Sequence, residues 1–216
     1  MKIFDILGPI MIGPSSSHTA GACRIGNMAR GIAGKGFTKV TFELHGSFAE
    51  TYKGHGTDRA LLAGILGFEP DDERLRDSFK YAKEKGIEYE FIKKDLGNVH
   101  PNTVKIILYY PSGNQFYVTG SSIGGGNIVI IDINGNSVTF TGDHPTLILR
   151  YNEQLGVIAW LSTLLSENGY NIESMKTIKT HSHVSLIVET DKDIEEELRN
   201  QIKENKRFSY YIYVTK

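Results

Sequence analysis

Gly13-Pro14-Ser15-Ser16-Ser17-His18-Thr19 sets hydroxyls and an imidazole side by side, followed by the small residues Ala20-Gly21-Ala22-Cys23. Ser and Thr side chains compete for backbone hydrogen bonds, so this run suits neither a strand nor a helix interior. It suits a helix N-terminus, where free N–H groups and hydroxyls hold an anion and His18 moves protons near neutral pH. An N-cap with a surface histidine accounts for it equally well.

Two further polar segments have similar character. In Lys53-Gly54-His55-Gly56-Thr57-Asp58 two glycines bracket a histidine ahead of a helix, which lets the backbone approach a ligand closely. In His100-Pro101-Asn102-Thr103 the proline stiffens a corner that presents His100 and Asn102. Each has a plain alternative: His55 as a loop residue, Asp58 as a helix cap, His100 as a surface residue before an edge strand. Together they place three imidazoles, several hydroxyls and an amide at element ends, where active sites gather. A fourth segment, Gly120-Ser121-Ser122-Ile123-Gly124-Gly125-Gly126-Asn127, interrupts a β run with either a bulge or a close backbone approach.

Other candidates read as structural. His181 and His183 sit in a hairpin turn with no third ligand nearby. Cys23 is the one cysteine; among small residues it reads as a packing thiol, and alone it builds neither a structural zinc site nor an iron–sulfur cluster. Any metal this protein uses must therefore rest on histidines and carboxylates or come from a partner.

The elements that must position these residues follow from periodicity. Apolar spacing at Ile25, Met28, Ala29 and Ile32 indicates a helix to about Ala33, and residues 40–44 alternate as a half-buried strand. A polar loop precedes a helix opened by Thr57-Asp58, a charged helix covers 71–85, and a strand covers 87–92. Residues 104–140 read as antiparallel strands at 104–110, 115–120, 127–133 and 137–140, with turns at 111–114 and 134–136. After the polar link 141–146, a strand at 147–151, a helix at 155–168, strands at 172–179 and 184–190, a helix at 193–205 and a strand at 208–214 give βαββαβ, a ferredoxin-like unit. The expected fold is α+β, with an α/β domain over 1–145 and the βαββαβ domain over 146–216.

Composition excludes several classes. The chain has 216 residues, 40% hydrophobic and 23% charged, with a net charge of -1. That balance leaves no basic footprint for nucleic acid or an anionic membrane. No apolar run reaches the roughly 20 residues of a membrane span. Residues 1–7 lack a signal-peptide layout, so a soluble cytoplasmic protein is expected.

The four polar motifs, in this order, resemble those of the iron–sulfur-dependent L-serine dehydratases, nearest to the β subunit of the two-subunit bacterial type. The likeness covers nearly the whole chain. Its first two motifs are long and specific, while His-Pro-Asn and the glycine run are weak alone. The resemblance implies a first domain similar to the allosteric substrate-binding domain of some phosphoglycerate dehydrogenases, and a C-terminal ACT domain that mediates homodimerisation. It also implies conversion of L-serine to pyruvate and ammonia by a [4Fe–4S] cluster whose cysteines lie on an α subunit, consistent with the lone Cys23. His55 then serves in proton transfer, with His18 as alternative or orienting group and His100 completing the wall. Ser16, Ser17, Thr19, Thr57, Asp58 and Asn102 face substrate. In the ACT unit, Asn152 and Asn171 are implied to hold a regulatory amino acid such as serine, although Leu155 stands where proline is usual. No lysine has the context of a pyridoxal phosphate site. A non-catalytic amino-acid-sensing module is the alternative; it leaves the segments at 53–58 and 100–102 without a task.

Overall fold

The computed structural model describes residues 10–180 and 182–215. The chain forms two compact units, Met1–Gly135 and Asn136–Lys216. Both are of mixed α+β composition.

In the first unit, Ser16–Gly21 forms a π-helical turn that runs straight into α1 (Ala22–Ala33). The expected helix start is thus wider than an ordinary α turn, a form frequent at functional sites. Next come β1 (Lys39–Leu44), α2 (Gly46–Thr51), α3 (Thr57–Leu66), a 3₁₀ turn (Glu73–Asp77), α4 (Ser78–Glu84) and β2 (Glu88–Lys93). Strands β3 (Thr103–Tyr109), β4 (Gln115–Gly124) and β5 (Asn127–Ile133) complete it. Within this unit the strand order is β2-β1-β3-β4-β5. Only β1 and β2 are parallel; the other neighbours are antiparallel.

Helices α1 and α3 cross backbone to backbone. A Cβ on Gly64 would stand 2.1 Å from the Cys23 carbonyl oxygen, and one on Gly26 would stand 2.5 Å from that of Leu61. Only glycine permits this approach, which seals Ile25, Ala29, Leu61 and Ile65 into the core.

Four expectations fail here for physical reasons. The polar loop after β1 contains α2, anchored where Gly46, at φ 53°, sits so close to Pro101 that a Cβ would fall 2.7 Å from its carbonyl oxygen. Strand β1 is not half-buried, because Thr41 and Glu43 are enclosed as well, and Glu43 accepts from Lys94 Nζ at 2.5 Å. The charged helix at 71–85 splits, since Asp72 caps a separate 3₁₀ turn. The β run persists past Gly120 to Gly124, and the glycines take positive φ at 124, 125 and 126.

The second unit holds β6 (Asn136–Phe140), β7 (Thr146–Asn152), α5 (Val157–Glu167), β8 (Ile172–Thr180), β9 (His183–Thr190), α6 (Glu196–Lys203) and β10 (Phe208–Val214). The order β10-β7-β9-β8, antiparallel throughout, is the ferredoxin-like arrangement expected from βαββαβ. Both helices are shorter than expected, because Gly156 adopts left-handed φ at the start of α5 and Tyr213 and Tyr170 hydroxyls accept from the Ile194 and Glu195 N–H groups ahead of α6. Its core joins Leu147, Leu149, Leu186 and Val188 of the sheet to Leu161, Leu165, Leu198 and Ile202 of the helices. No helix among the described residues is long and apolar enough to cross a membrane.

Candidate active site

The Ser15 hydroxyl caps the π turn, accepting from the His18 N–H at 3.2 Å. That fixes where the His18 ring leaves the backbone. Its Nδ1 lies 3.1 Å from the Ser17 hydroxyl and its Nε2 lies 3.0 Å from the Ser47 hydroxyl. Both ring nitrogens are thus engaged by hydroxyls that donate or accept as the tautomer requires. The ring packs edge-on to Phe48 and lies 4.9 Å, centroid to centroid, from His55.

Burial, followed by the neighbouring His55, holds His18 below the ordinary histidine pKa. His18 is therefore a neutral imidazole at pH 7, while His55 stands exposed beside it. The Thr19 hydroxyl donates to the His55 carbonyl at 3.2 Å and ties the two motifs together. Thr19, His55, Gly13 and Lys53 share the lining of a cavity of about 320 Å³. Ser16 is the first residue of the turn. Thr57 is fully buried, and its hydroxyl has no hydrogen-bond partner among the described residues. Asp58 accepts from the Arg59 N–H at 2.8 Å; burial raises its carboxyl pKa, opposed by that bond and the Arg59 charge.

The third motif stands apart from this cluster. His100 is exposed, its Nδ1 accepts from the Asn102 N–H at 3.1 Å, and none of its recorded contacts reaches His18 or His55. The segment's link to them is through the backbone: Pro101 accepts from the Phe48 N–H at 3.4 Å, so it seats α2, which carries Ser47. The Asn102 carbonyl in turn accepts from the Ser122 N–H, attaching the motif to β4. On the glycine run, Arg24 Nη1 donates to the Gly126 carbonyl at 3.0 Å.

Ser47 is the residue that sequence reasoning misses. It lies in what reads as a polar loop, and a single serine there carries no signal.

In the second unit, Asn152 pairs with His183 at one end of the sheet, whereas Asn171 exchanges hydrogen bonds with Asp191 at the other. The strand length separating those ends is roughly 20 Å, so one chain does not bring the two asparagines together. Of the turn histidines, His183 lies beside Ser182, and His181 lies outside the described residues.

The residues present do not fit a cluster or metal. Among the described residues no group of three His, Cys, Asp or Glu could hold a metal ion. Cys23 is buried, donates its thiol proton to the Phe68 carbonyl at 3.1 Å, and has its pKa pushed up by burial and nearby carboxylates.

These motifs lie within a region with known relatives. Residues 2–132 match the serine dehydratase beta chain family. The chain is 53% identical over 214 residues, 98% of its own length and 96% of the other's, to the L-serine dehydratase beta chain of Peptoniphilus asaccharolyticus. It is 41% identical to the probable L-serine dehydratase beta chain of Bacillus subtilis, covering 93% of this chain and 92% of that one. Against L-serine dehydratase 1 of Escherichia coli the identity is 29%, over 85% of this chain but 46% of that protein. The family match over more than half the chain, and full-length similarity at 53% identity, show that this chain belongs to the serine dehydratase beta chain family.

Proposed function

We propose that this chain is the β subunit of an L-serine dehydratase converting L-serine to pyruvate and ammonia, and that it supplies one wall of an active site completed by an α subunit. The observation that carries this reading is the pairing of exposed His55 with a half-buried, neutral His18 held between two serine hydroxyls.

The reaction removes the serine α-hydrogen and the β-hydroxyl, giving aminoacrylate and water. Aminoacrylate tautomerises to an imine, and water hydrolyses the imine to pyruvate and ammonia. His55 takes the α-proton on a ring nitrogen, because it is the exposed member of the paired imidazoles. His18 orients rather than titrates: with both nitrogens committed and its cationic form disfavoured, it holds a fixed array of dipoles beside His55. Ser16, Ser17, Thr19, Thr57 and Asp58 orient the substrate's polar ends. His100 and Asn102 flank Pro101, whose carbonyl seats α2, and form the outer edge of the wall.

A [4Fe–4S] cluster, by this reading, has its ligands on the α subunit, since no set among the described residues fits it. Residues 1–145 would form the catalytic β domain, akin to the allosteric substrate-binding domain of phosphoglycerate dehydrogenases. Residues 146–216 would form an ACT domain that pairs two β chains in the cytoplasm. Asn152 and Asn171, at opposite ends of one sheet, would then act on a regulatory serine as contributions from different chains.

The test is anaerobic co-expression with an α subunit. The pair should deaminate L-serine, and each chain alone should not. Deamination by this chain alone, or a pair that keeps its rate after His18, His55 and His100 are all replaced, would overturn the proposal. A regulatory module without catalysis would bind amino acids yet leave α-subunit turnover indifferent to its presence.

A further inference from the structure

The cavity of about 320 Å³ beside His55 has a charge pattern that the serine-to-pyruvate reaction does not use. Three cationic side chains line it, from three separate stretches: Lys53 ahead of α3, Arg59 in its first turn, and Arg76 on the 3₁₀ turn Glu73–Asp77. No carboxylate of the described residues lines it. His18 and Ser47 do not line it either, so it is a separate space that meets the Ser17–His18–Ser47 array only at Thr19 and His55.

Local structure explains why Arg76, and not its neighbour, faces this space. The guanidinium of Arg74 is committed to Asp72, with bonds at 2.9 and 3.0 Å, and lies over the Phe68 ring at 4.3 Å. Leu75 is buried and pins the turn, leaving Arg76 on the cavity side. None of Lys53, Arg59 and Arg76 forms an ion pair with a described carboxylate; the Arg59 guanidinium lies over the Phe79 ring at 6.0 Å and Lys53 Nζ over the Tyr52 ring at 5.7 Å. Asp58 is the nearby acid, and its bonded oxygen is taken by the Arg59 N–H. Gly56 opens α3 with no side-chain cap, so the positive end of a ten-residue helix adds to the same field. A concave surface lined by one sign of charge concentrates counter-ions, and this volume admits a small hydrated ligand.

We infer that this cavity is a binding site for a small oxyanion, held by Arg59, Arg76 and Lys53 beside His55. A phosphate and an amino-acid carboxylate share that chemistry. The inference is independent of the dehydratase reading, because binding is measured without the α subunit and without turnover.

The experiment titrates inorganic phosphate and, separately, L-serine into the full chain at constant ionic strength, followed by calorimetry. Saturable 1:1 binding of at least one of them is expected. Arg59→Gln and Arg76→Gln should each weaken it tenfold or more, with unchanged thermal unfolding. Lys39→Gln, which removes an exposed lysine of β1 outside the cavity, should bind as the original chain does. Binding of phosphate alone would identify a phosphate-bearing or inorganic source, and binding of serine alone would identify the substrate carboxylate. Absence of saturable binding by both, equal binding by the Arg59 and Arg76 variants, or an equal loss in Lys39→Gln would overturn the inference.

Discussion

The two units solve the same packing problem with different amounts of compromise. In the second, two helices lie on a four-stranded antiparallel sheet, and the shared core is built from Leu, Val and Ile. In the first, the core is apolar too, but its edge toward the motifs carries a π turn and the buried hydroxyls of Thr57 and Ser122, without partners among the described residues; the second unit leaves Glu189 Oε1 and Arg199 Nε without such partners, and each unit opens a helix at an uncapped left-handed glycine, Gly56 or Gly156. A buried hydroxyl without a partner costs on the order of 1–3 kcal/mol, so such features persist where something other than stability selects them. The difference lies at the paired histidines: among the described residues only the first unit sets a π turn and an unpartnered buried hydroxyl beside them, which supports the proposal that the chemistry is there.

The sharpest way to break this contrast is through His55. In the αβ pair, His55→Gln should lower kcat by about 100- to 10,000-fold, the range for loss of a general base, with unchanged unfolding temperature. A comparable drop in stability would make His55 a structural residue instead. Leu161→Ala should destabilise the second unit by about 2–5 kcal/mol in denaturant titration, because Leu161 is fully buried between helix and sheet. Near-wild-type unfolding would show that this core tolerates a cavity. For the first unit the corresponding lesion is added bulk. Gly64→Ala should cost roughly 1–3 kcal/mol, since the new methyl would press on the Cys23 carbonyl.

Smaller effects sharpen the comparison at His18. Ser47→Ala removes one hydroxyl from the ring and should cost about fivefold in kcat/KM, the equivalent of about 1 kcal/mol for a hydrogen bond. Ser47→Thr, which keeps the hydroxyl, should recover most of it. The smallest effect is on pH dependence. An unfolded chain protonates His18 near 6.5, whereas in the folded chain burial and His55 delay that to lower pH. Between the two values the unfolded state holds more protons, so stability must fall as pH drops through this window. Thermal unfolding measured from pH 7.5 to 5 should show this loss, and His18→Asn should flatten it.

Legibility in the sequence tracks how local each stabilising contact is. The elements of the second unit follow one another in a clean pattern, and βαββαβ was legible from that pattern. Helix α1 was readable as far as Ala33 because its apolar spacing is regular. Helix α2 was not: six residues are too few for a periodic signal, and its start rests on His45 and Pro101, some 55 positions apart in the chain. The 3₁₀ turn at Glu73–Asp77 was hidden for a similar reason, since the charges around it mimic an amphipathic helix while Asp72 caps a tighter turn.

By itself the sequence determined which residue types could do chemistry, that they stand at element ends, and that one cysteine cannot hold a cluster. These follow from composition and short-range pattern. Only the tertiary structure decided that His18 and His55 stand side by side, that Ser47 completes the array, and that His100 does not touch it. It also decided that Asn152 and Asn171 lie at opposite ends of one sheet, and that Arg59 and Arg76 line one cavity. Those outcomes depend on how distant backbones pack. In the first unit the Gly26–Gly64 crossing and the seat of Gly46 on Pro101 are contacts of this kind, which no local window of residues contains.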